Sequence, residues 1–200
     1  MDGDKELLAL MIRAVFSGMD GDAKKTGSDM SAHMPTLYLL ARHSPGPIVE
    51  CGVGRGFSTI ALIAGSMDGS NHLTSYDANR GCEESVFRNL GIPSNSPQRD
   101  IIRRSWAFSH GDSVKSSSLW ASQSIGLWFL DTSHRYENTI RELEAWNSKI
   151  KPNGIMCGHD YHLKDAGVQR AVDEFVSARK NRFRLQICRY DQGLFILWPL

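Results

Sequence analysis

Apolar positions along this chain switch repeatedly between two spacings. Near the start, Leu7, Leu8, Met11, Ile12, Val15 and Phe16 recur at three- and four-residue intervals, which predicts an amphipathic helix. Residues 18–28 are rich in Gly, Asp and Lys and read as a loop. Residues 34–42 suggest a second helix, stopped by Ser44-Pro45-Gly46-Pro47. From Ile48 onward, short apolar runs alternate with helical patterns. The runs are 48–51, 72–77, 106–110, 125–130 and 155–158. Between them, 58–64, 83–90, 136–150 and 168–178 read as helices. Residues 91–100 hold two prolines and small polar residues and read as a loop. The serine-rich stretch 113–124 has room for a short helix around Leu119-Trp120, and Lys151-Pro152-Asn153-Gly154 reads as the stop after the helix that begins near Tyr136. Two last runs, 184–190 and 194–198, flank Asp191-Gln192-Gly193, a hairpin signal.

Continuous apolar strands alternating with helices imply a parallel sheet covered on both faces. The expected fold is α/β, a doubly wound sheet of about seven strands, mostly parallel with a C-terminal antiparallel hairpin and helices on both faces. A chain of 200 residues suits one such domain, with 1–45 as a helical lid or dimerisation segment and 46–200 as the core. Ligands of such sheets bind at the carboxyl ends of the strands, so each strand end is a place to look for chemistry.

The first strand runs into Glu50-Cys51-Gly52-Val53-Gly54-Arg55-Gly56, followed by a helix that starts near Ser58. Glycines let the main chain turn sharply and let a ligand approach it, and the helix start favours an anionic group. A nucleotide-like cofactor follows. The dinucleotide fingerprint G-x-G-x-x-G fits only in part, because Phe57 stands where its third glycine would be and Gly56 comes one residue early. Asp77, about twenty residues further on, is placed to hold ribose hydroxyls. Asp112 in His110-Gly111-Asp112-Ser113 is a candidate reader of an adenine amino group, or a helix N-cap.

The fourth and fifth strands end in Asp131-Thr132-Ser133-His134 and in Gly158-His159-Asp160-Tyr161-His162. Carboxylates clustered at strand ends are costly unless paired or bound to a metal. Asp131 and Asp160 are therefore candidate metal ligands, with His159 as a third. Oxygen ligands alone suit Mg²⁺, and an imidazole shifts the preference toward Mn²⁺, Fe²⁺ or Zn²⁺. The alternative is that His159 and His162 only pack or hydrogen-bond. His134 titrates near neutral pH and suits a general base.

Taken together, the E-x-G-x-G-x-G turn, Asp-x-x-His after strand four, Tyr136-Glu137, Lys-Pro-x-Gly and His-Asp-Tyr resemble the class I S-adenosylmethionine-dependent methyltransferases. They are similar to the group with the macrocin-type O-methyltransferases and cephalosporin hydroxylase-like proteins. The resemblance runs from about Ile48 to Tyr161. It implies a Rossmann-like fold and S-adenosylmethionine (SAM) as cofactor. Glu50, Gly52, Gly54, Gly56 and Ser58 would line its methionine part, Asp77 its ribose, and Asp112 and Ser113 its adenine, with Asp131 close by. In similar catechol-type enzymes Mg²⁺ is held at the positions of Asp131, His159 and Asp160, and a lysine at the position of His134 is the base. Here His159 departs from the acid usual in those relatives. The implied reaction is methyl transfer to a hydroxyl of a small molecule, assisted by Mg²⁺ or Mn²⁺, with Asp131 and His134 catalytic.

Composition narrows the partners. A formal net charge of +1 gives no global field toward nucleic acid or membrane, and no apolar run is long enough to span a bilayer. The basic clusters Arg103-Arg104 and 180–184 read as solvated surface. The four cysteines form no C-x-x-C pair, which suits a reducing, cytoplasmic setting. A homodimer through the N-terminal helices is compatible with the pattern. Methylation of an amine and a nicotinamide-dependent oxidoreductase remain alternatives, as does a binding protein without turnover. Trp106, Trp120, Trp128 and Trp146 are expected mostly in the core.

Overall fold

The computed structural model describes residues 2–17, 29–164 and 167–200. The loop expected over 18–28 lies outside the described residues. Among the described residues, seven strands form one sheet: β1 Ile48–Cys51, β2 Leu73–Asp77, β3 Trp106–His110, β4 Ile125–Leu130, β5 Ile150–Gly158, β6 Phe183–Cys188 and β7 Leu194–Pro199. Their order is β3-β2-β1-β4-β5-β7-β6. Strands β1 to β5 pair in parallel, and β7 alone runs antiparallel to both its neighbours. The chain order turns back between β1 and β4, and that crevice is where a ligand of a doubly wound sheet sits.

Among the described residues, eight helices surround the sheet: α1 Asp2–Ser17, α2 Met34–Arg42, α3 Phe57–Asp68, α4 Cys82–Asn89, α5 Gln98–Ser105, α6 Ser113–Ser116, α7 Tyr136–Asn147 and α8 Val168–Ser177. A 3-10 turn, Asp29–His33, leads into α2. None of the described helices is long and apolar enough to cross a membrane.

Side chains on a strand alternate between faces, and the two cores follow that alternation. Ile48, Leu127, Phe129 and Cys157 point to the layer that holds α1 to α4. Val49, Cys51, Trp128, Leu130 and Met156 point to the layer of α7 and α8. Helix α3 has no polar stripe, and its residues 58–66 are all buried. The sheet core lies on one side of it, while α1 and α2 cover the other. The N-terminal helices thus complete the core beside the glycine turn. Trp106, Trp128 and Trp146 are fully buried, whereas Trp120 is half-buried and donates to the Tyr76 hydroxyl at 3.0 Å.

Three local expectations need correction. The stretch 91–100, expected as a loop, leads directly into α5, whose N-cap is Pro97. Arg99 is responsible for the order: its buried guanidinium donates to both Glu84 oxygens at 2.8 and 2.7 Å. It also donates to the carbonyls of Pro93 and Ile92 at 2.9 and 3.2 Å and lies over the Phe87 ring. A tertiary clamp overrides the local turn signal here. Second, Lys151-Pro152-Asn153-Gly154 is not a stop: α7 ends earlier, at Asn147, and β5 begins at Ile150. The pairing of β4 with β5 shifts register between Ile125 and Leu127, which absorbs the Pro-Gly segment. Third, the serine-rich stretch is helical at its start. Asp112 caps α6 by accepting from the Lys115 amide at 2.9 Å, and a 3-10 turn, Ser117–Leu119, follows.

Candidate active site

The ends of β1, β2, β4 and β5 meet at the crevice. After β1 the chain turns through Gly52, Gly54 and Gly56, all at positive φ. Gly52 is required by close approach: a Cβ there would stand 1.8 Å from the Asp131 carbonyl oxygen. Gly54 is required by its conformation, and a Cβ on it would meet nothing within 4 Å. Its missing side chain leaves that space to a ligand. The amides of Val53 and Gly54 donate to Asp77 Oδ2 at 2.8 and 3.0 Å, and the Asn79 amide donates to Oδ1 at 2.7 Å. Asp77 therefore braces the turn across the end of β2 while lining the cavity beyond it.

That cavity has a volume of about 480 Å³ and is walled by Gly52, Gly54, Asp77, Asp112, Ser113 and Asp131, among others. A second cavity of about 400 Å³ adjoins it, walled by Met30, Arg55, Gly56, Phe57, Ser58 and His134. Gly54, Asp131 and Thr132 border both. Helix α3 opens onto the second cavity with Gly56 as its N-cap and no side-chain cap, so its first amides point toward it.

Glu50 lies apart from both. Its carboxyl group is fully buried under the turn and accepts from Ser58 and Thr59 at 2.8 Å each and from Ser75 at 2.6 Å. Burial pushes its pKa up to about 7 against the pull of those hydroxyls. The structure thus uses Glu50 to tie β1, β2 and α3 together, and Ser58 spends its hydroxyl on Glu50.

At the other side of the crevice, Asp160 is buried and held in the left-handed region at φ 63°. His134 Nε2 is 2.9 Å from its Oδ2 and His159 Nδ1 is 3.3 Å from its Oδ1. Burial alone would raise the Asp160 pKa, but the hydrogen bonds from His134 and His159 outweigh it and hold the carboxylate well below its usual range. Asp131 shifts the other way. Desolvation pushes it up to about 7, the charge on Asp160 adds to this, and the nearby histidines oppose it. The two carboxyl groups of this site thus shift in opposite directions.

Asp131, His134 and Asp160 each bring one ligand atom to within 4.8 Å of the others. His159 is not in that group. It is buried behind Asp160, lines neither cavity, and packs edge-on against His33 at 5.2 Å. Ser113 borders the first cavity and accepts from Trp146 Nε1 at 3.3 Å. His162 is exposed and outside the cluster.

Several site residues escaped the sequence reading. Glu142 is buried at the cavity wall, accepts from Thr132 Oγ1 at 2.8 Å, and has its pKa raised by burial. Its signal was available: it sits on the inward stripe of α7 with Thr139, Leu143 and Trp146. His33 had no sequence signal, because its partners come from residues more than a hundred positions away.

No curated protein sequence matches the chain. Among solved structures, a Corynebacterium glutamicum protein is 17% identical over 93% of this chain and 89% of its own, with a TM-score of 0.68. A methyltransferase from Geobacter sulfurreducens is 18% identical over 94% and 89%, with a TM-score of 0.67. The O-methyltransferase from Bacillus cereus, solved in complex with SAH, is 14% identical over 92% and 90%, with a TM-score of 0.63. These likenesses are likenesses of fold. A family model described as a methyltransferase domain matches residues 49–161, more than half the chain and the stretch that carries the glycine turn, Asp77, Asp131 and Asp160. By that match, the chain belongs to this family of methyltransferase domains.

Proposed function

We propose that this protein transfers a methyl group from SAM to a hydroxyl of a small molecule. The observation that carries the reading is the junction of the two cavities. Gly52 and Asp77 border one, His134 paired with Asp160 borders the other, and Gly54 and Asp131 border both. The fit of the cofactor rests on Gly54, whose absent Cβ leaves open space, and on the uncapped start of α3. Asp77 keeps acceptor capacity for ribose hydroxyls while bracing the turn. The first amides of α3 suit the cofactor's carboxylate. Asp112 and Ser113 lie at the adenine end. The volumes, about 480 and 400 Å³, suit a small acceptor rather than a polymer.

When bound, SAM would supply an electrophilic sulfonium methyl carbon, open to in-line attack by the acceptor oxygen with the sulfur leaving as a neutral thioether. The work left to the chain is alignment and proton removal. His134 Nε2 donates to Asp160, which makes Nδ1 the basic nitrogen, and Asp160 stabilises the imidazolium once His134 has taken the proton. Asp131, beside the junction, hydrogen-bonds the acceptor hydroxyl.

The donor set also fits a divalent ion. Two carboxylates and an imidazole, from Asp131, Asp160 and His134, would hold Mn²⁺ as readily as Mg²⁺. Bound there, the ion would hold the acceptor oxygen and lower its pKa, with His134 then a ligand. His159, expected as the third ligand, is better suited to support Asp160 from behind.

Calorimetric titration with SAM, in the presence and absence of Mn²⁺, tests the reading. Saturable binding of SAM supports it. A folded protein that gives no heat with SAM would overturn it.

A further inference from the structure

Asp160 carries two imidazoles, one on each carboxylate oxygen. They differ in setting. His134 is exposed, on the loop after β4, and borders the second cavity. His159 is buried at the end of β5 and borders neither cavity. His159 is therefore out of reach of a ligand in either, and the side chain of the site that it hydrogen-bonds is Asp160. Its place is fixed from both sides. The backbone amide of His159 donates to the Leu130 carbonyl at 3.0 Å. The His33 ring packs edge-on against its own, and His33 Nε2 lies 3.0 Å from the Tyr190 carbonyl oxygen. His33 comes from the turn before α2, and Tyr190 from the connection of β6 to β7. The end of β4 thus holds the His159 backbone, and His33, itself tied to Tyr190, packs against the His159 ring.

We propose that His159 is a positioning residue: its Nδ1–H holds the Asp160 carboxylate in the plane that presents Oδ2 to His134, and His33 fixes the His159 ring. A carboxylate bonded at one oxygen only can rotate away. Bonded at both, it gives the exposed His134 one orientation and one tautomer. Partners of this kind set the tautomer and direction of a functional imidazole. The proposal rests on the methyltransferase reading for its purpose, but its geometry stands without it.

The test uses the stereochemistry of amide side chains. Asn places an N–H close to the position of histidine Nδ1, while Gln places one near Nε2. Full-length, metal-free, ¹⁵N-labelled protein is compared at one fixed pH as wild type, His159→Asn, His159→Gln and His159→Ala. The imidazole ¹⁵N shifts of His134 are read. We expect wild type and His159→Asn to share the signature of a single Nε2–H tautomer. His159→Gln and His159→Ala should move toward the averaged shifts of a free imidazole. Wild-type shifts in the alanine variant, or equal spectra for Asn and Gln, would overturn the proposal. Should the alanine variant fail to fold, the Asn and Gln pair decides alone. Calorimetry with SAM is run on the same samples. A wild type that does not bind SAM sinks the methyltransferase reading, and the ¹⁵N comparison still judges the role of His159.

Discussion

His134 Nε2 and Asp160 Oδ2 meet at 2.9 Å across the ends of two neighbouring strands. One partner is exposed and the other buried. The pair places an imidazole at the border of a cavity and fastens its carboxylate partner in the protein. Replacing His134 with Ala should lower turnover by about 10²–10⁴-fold, the usual worth of a positioned base. Affinity for SAM should stay that of the wild type. Steady-state kinetics with an identified acceptor, alongside calorimetry, check both halves; an unchanged turnover would remove His134 from the mechanism.

The glycine turn allows a sharper comparison. Gly52→Ala would press a Cβ onto the Asp131 carbonyl at 1.8 Å and strain a positive φ. It should cost about 3 kcal/mol or more, since strain and overpacking add. Gly54→Ala meets no atom within 4 Å. It should cost about 1 kcal/mol of stability and yet weaken SAM binding, because the methyl enters the ligand's space. Thermal melts and calorimetry on the two variants should therefore rank them in opposite orders.

Glu50 predicts a dependence of stability on pH. Its folded pKa is about 7 against an ordinary 4.5. The folded state thus keeps a proton that the unfolded chain releases, and stability falls as pH rises from about 4.5 to about 7, then levels off. The size is about 3 kcal/mol. Glu50→Gln should remove this contribution, so that the variant gains on the wild type with rising pH. Denaturant unfolding of both proteins across that range measures the difference, and parallel curves would contradict it.

Arg99 predicts stability without chemistry. Arg99→Met keeps the stacking on Phe87 but abandons Glu84 and the carbonyls of Pro93 and Ile92. The melting temperature should drop by several degrees while SAM affinity holds, because Arg99 borders neither cavity.

Much of this was written in local pattern. The apolar runs at 48–51 and 125–130 and the stripe of α7 needed only periodicity to be seen, because burial on both faces leaves these strands apolar apart from Glu50. The strand ends were legible for the same reason: once the strands are placed, Asp77, Asp131 and Asp160 fall at their carboxyl ends. What escaped depends on contacts between distant segments. Helix α5 hides among prolines because Arg99 reaches fifteen residues back to Glu84. Glu50 looked like a ligand contact, and its burial under Ser58, Thr59 and Ser75 appears only when β2 is laid beside β1. His159 was expected to face a metal, and the turn of chain at Asp160 puts Nδ1 behind the carboxylate instead.

The walls of the two cavities have different origins. Every residue bordering the first comes from between Gly52 and Glu142, inside the stretch that the family shares. The second borrows Met30 from the segment ahead of that stretch. Met30 thus brings the segment ahead of the shared stretch to a wall otherwise drawn from inside it. Under the proposed function, a change at Met30 is the way for that segment to alter the second cavity while the wall of the first stays as it is.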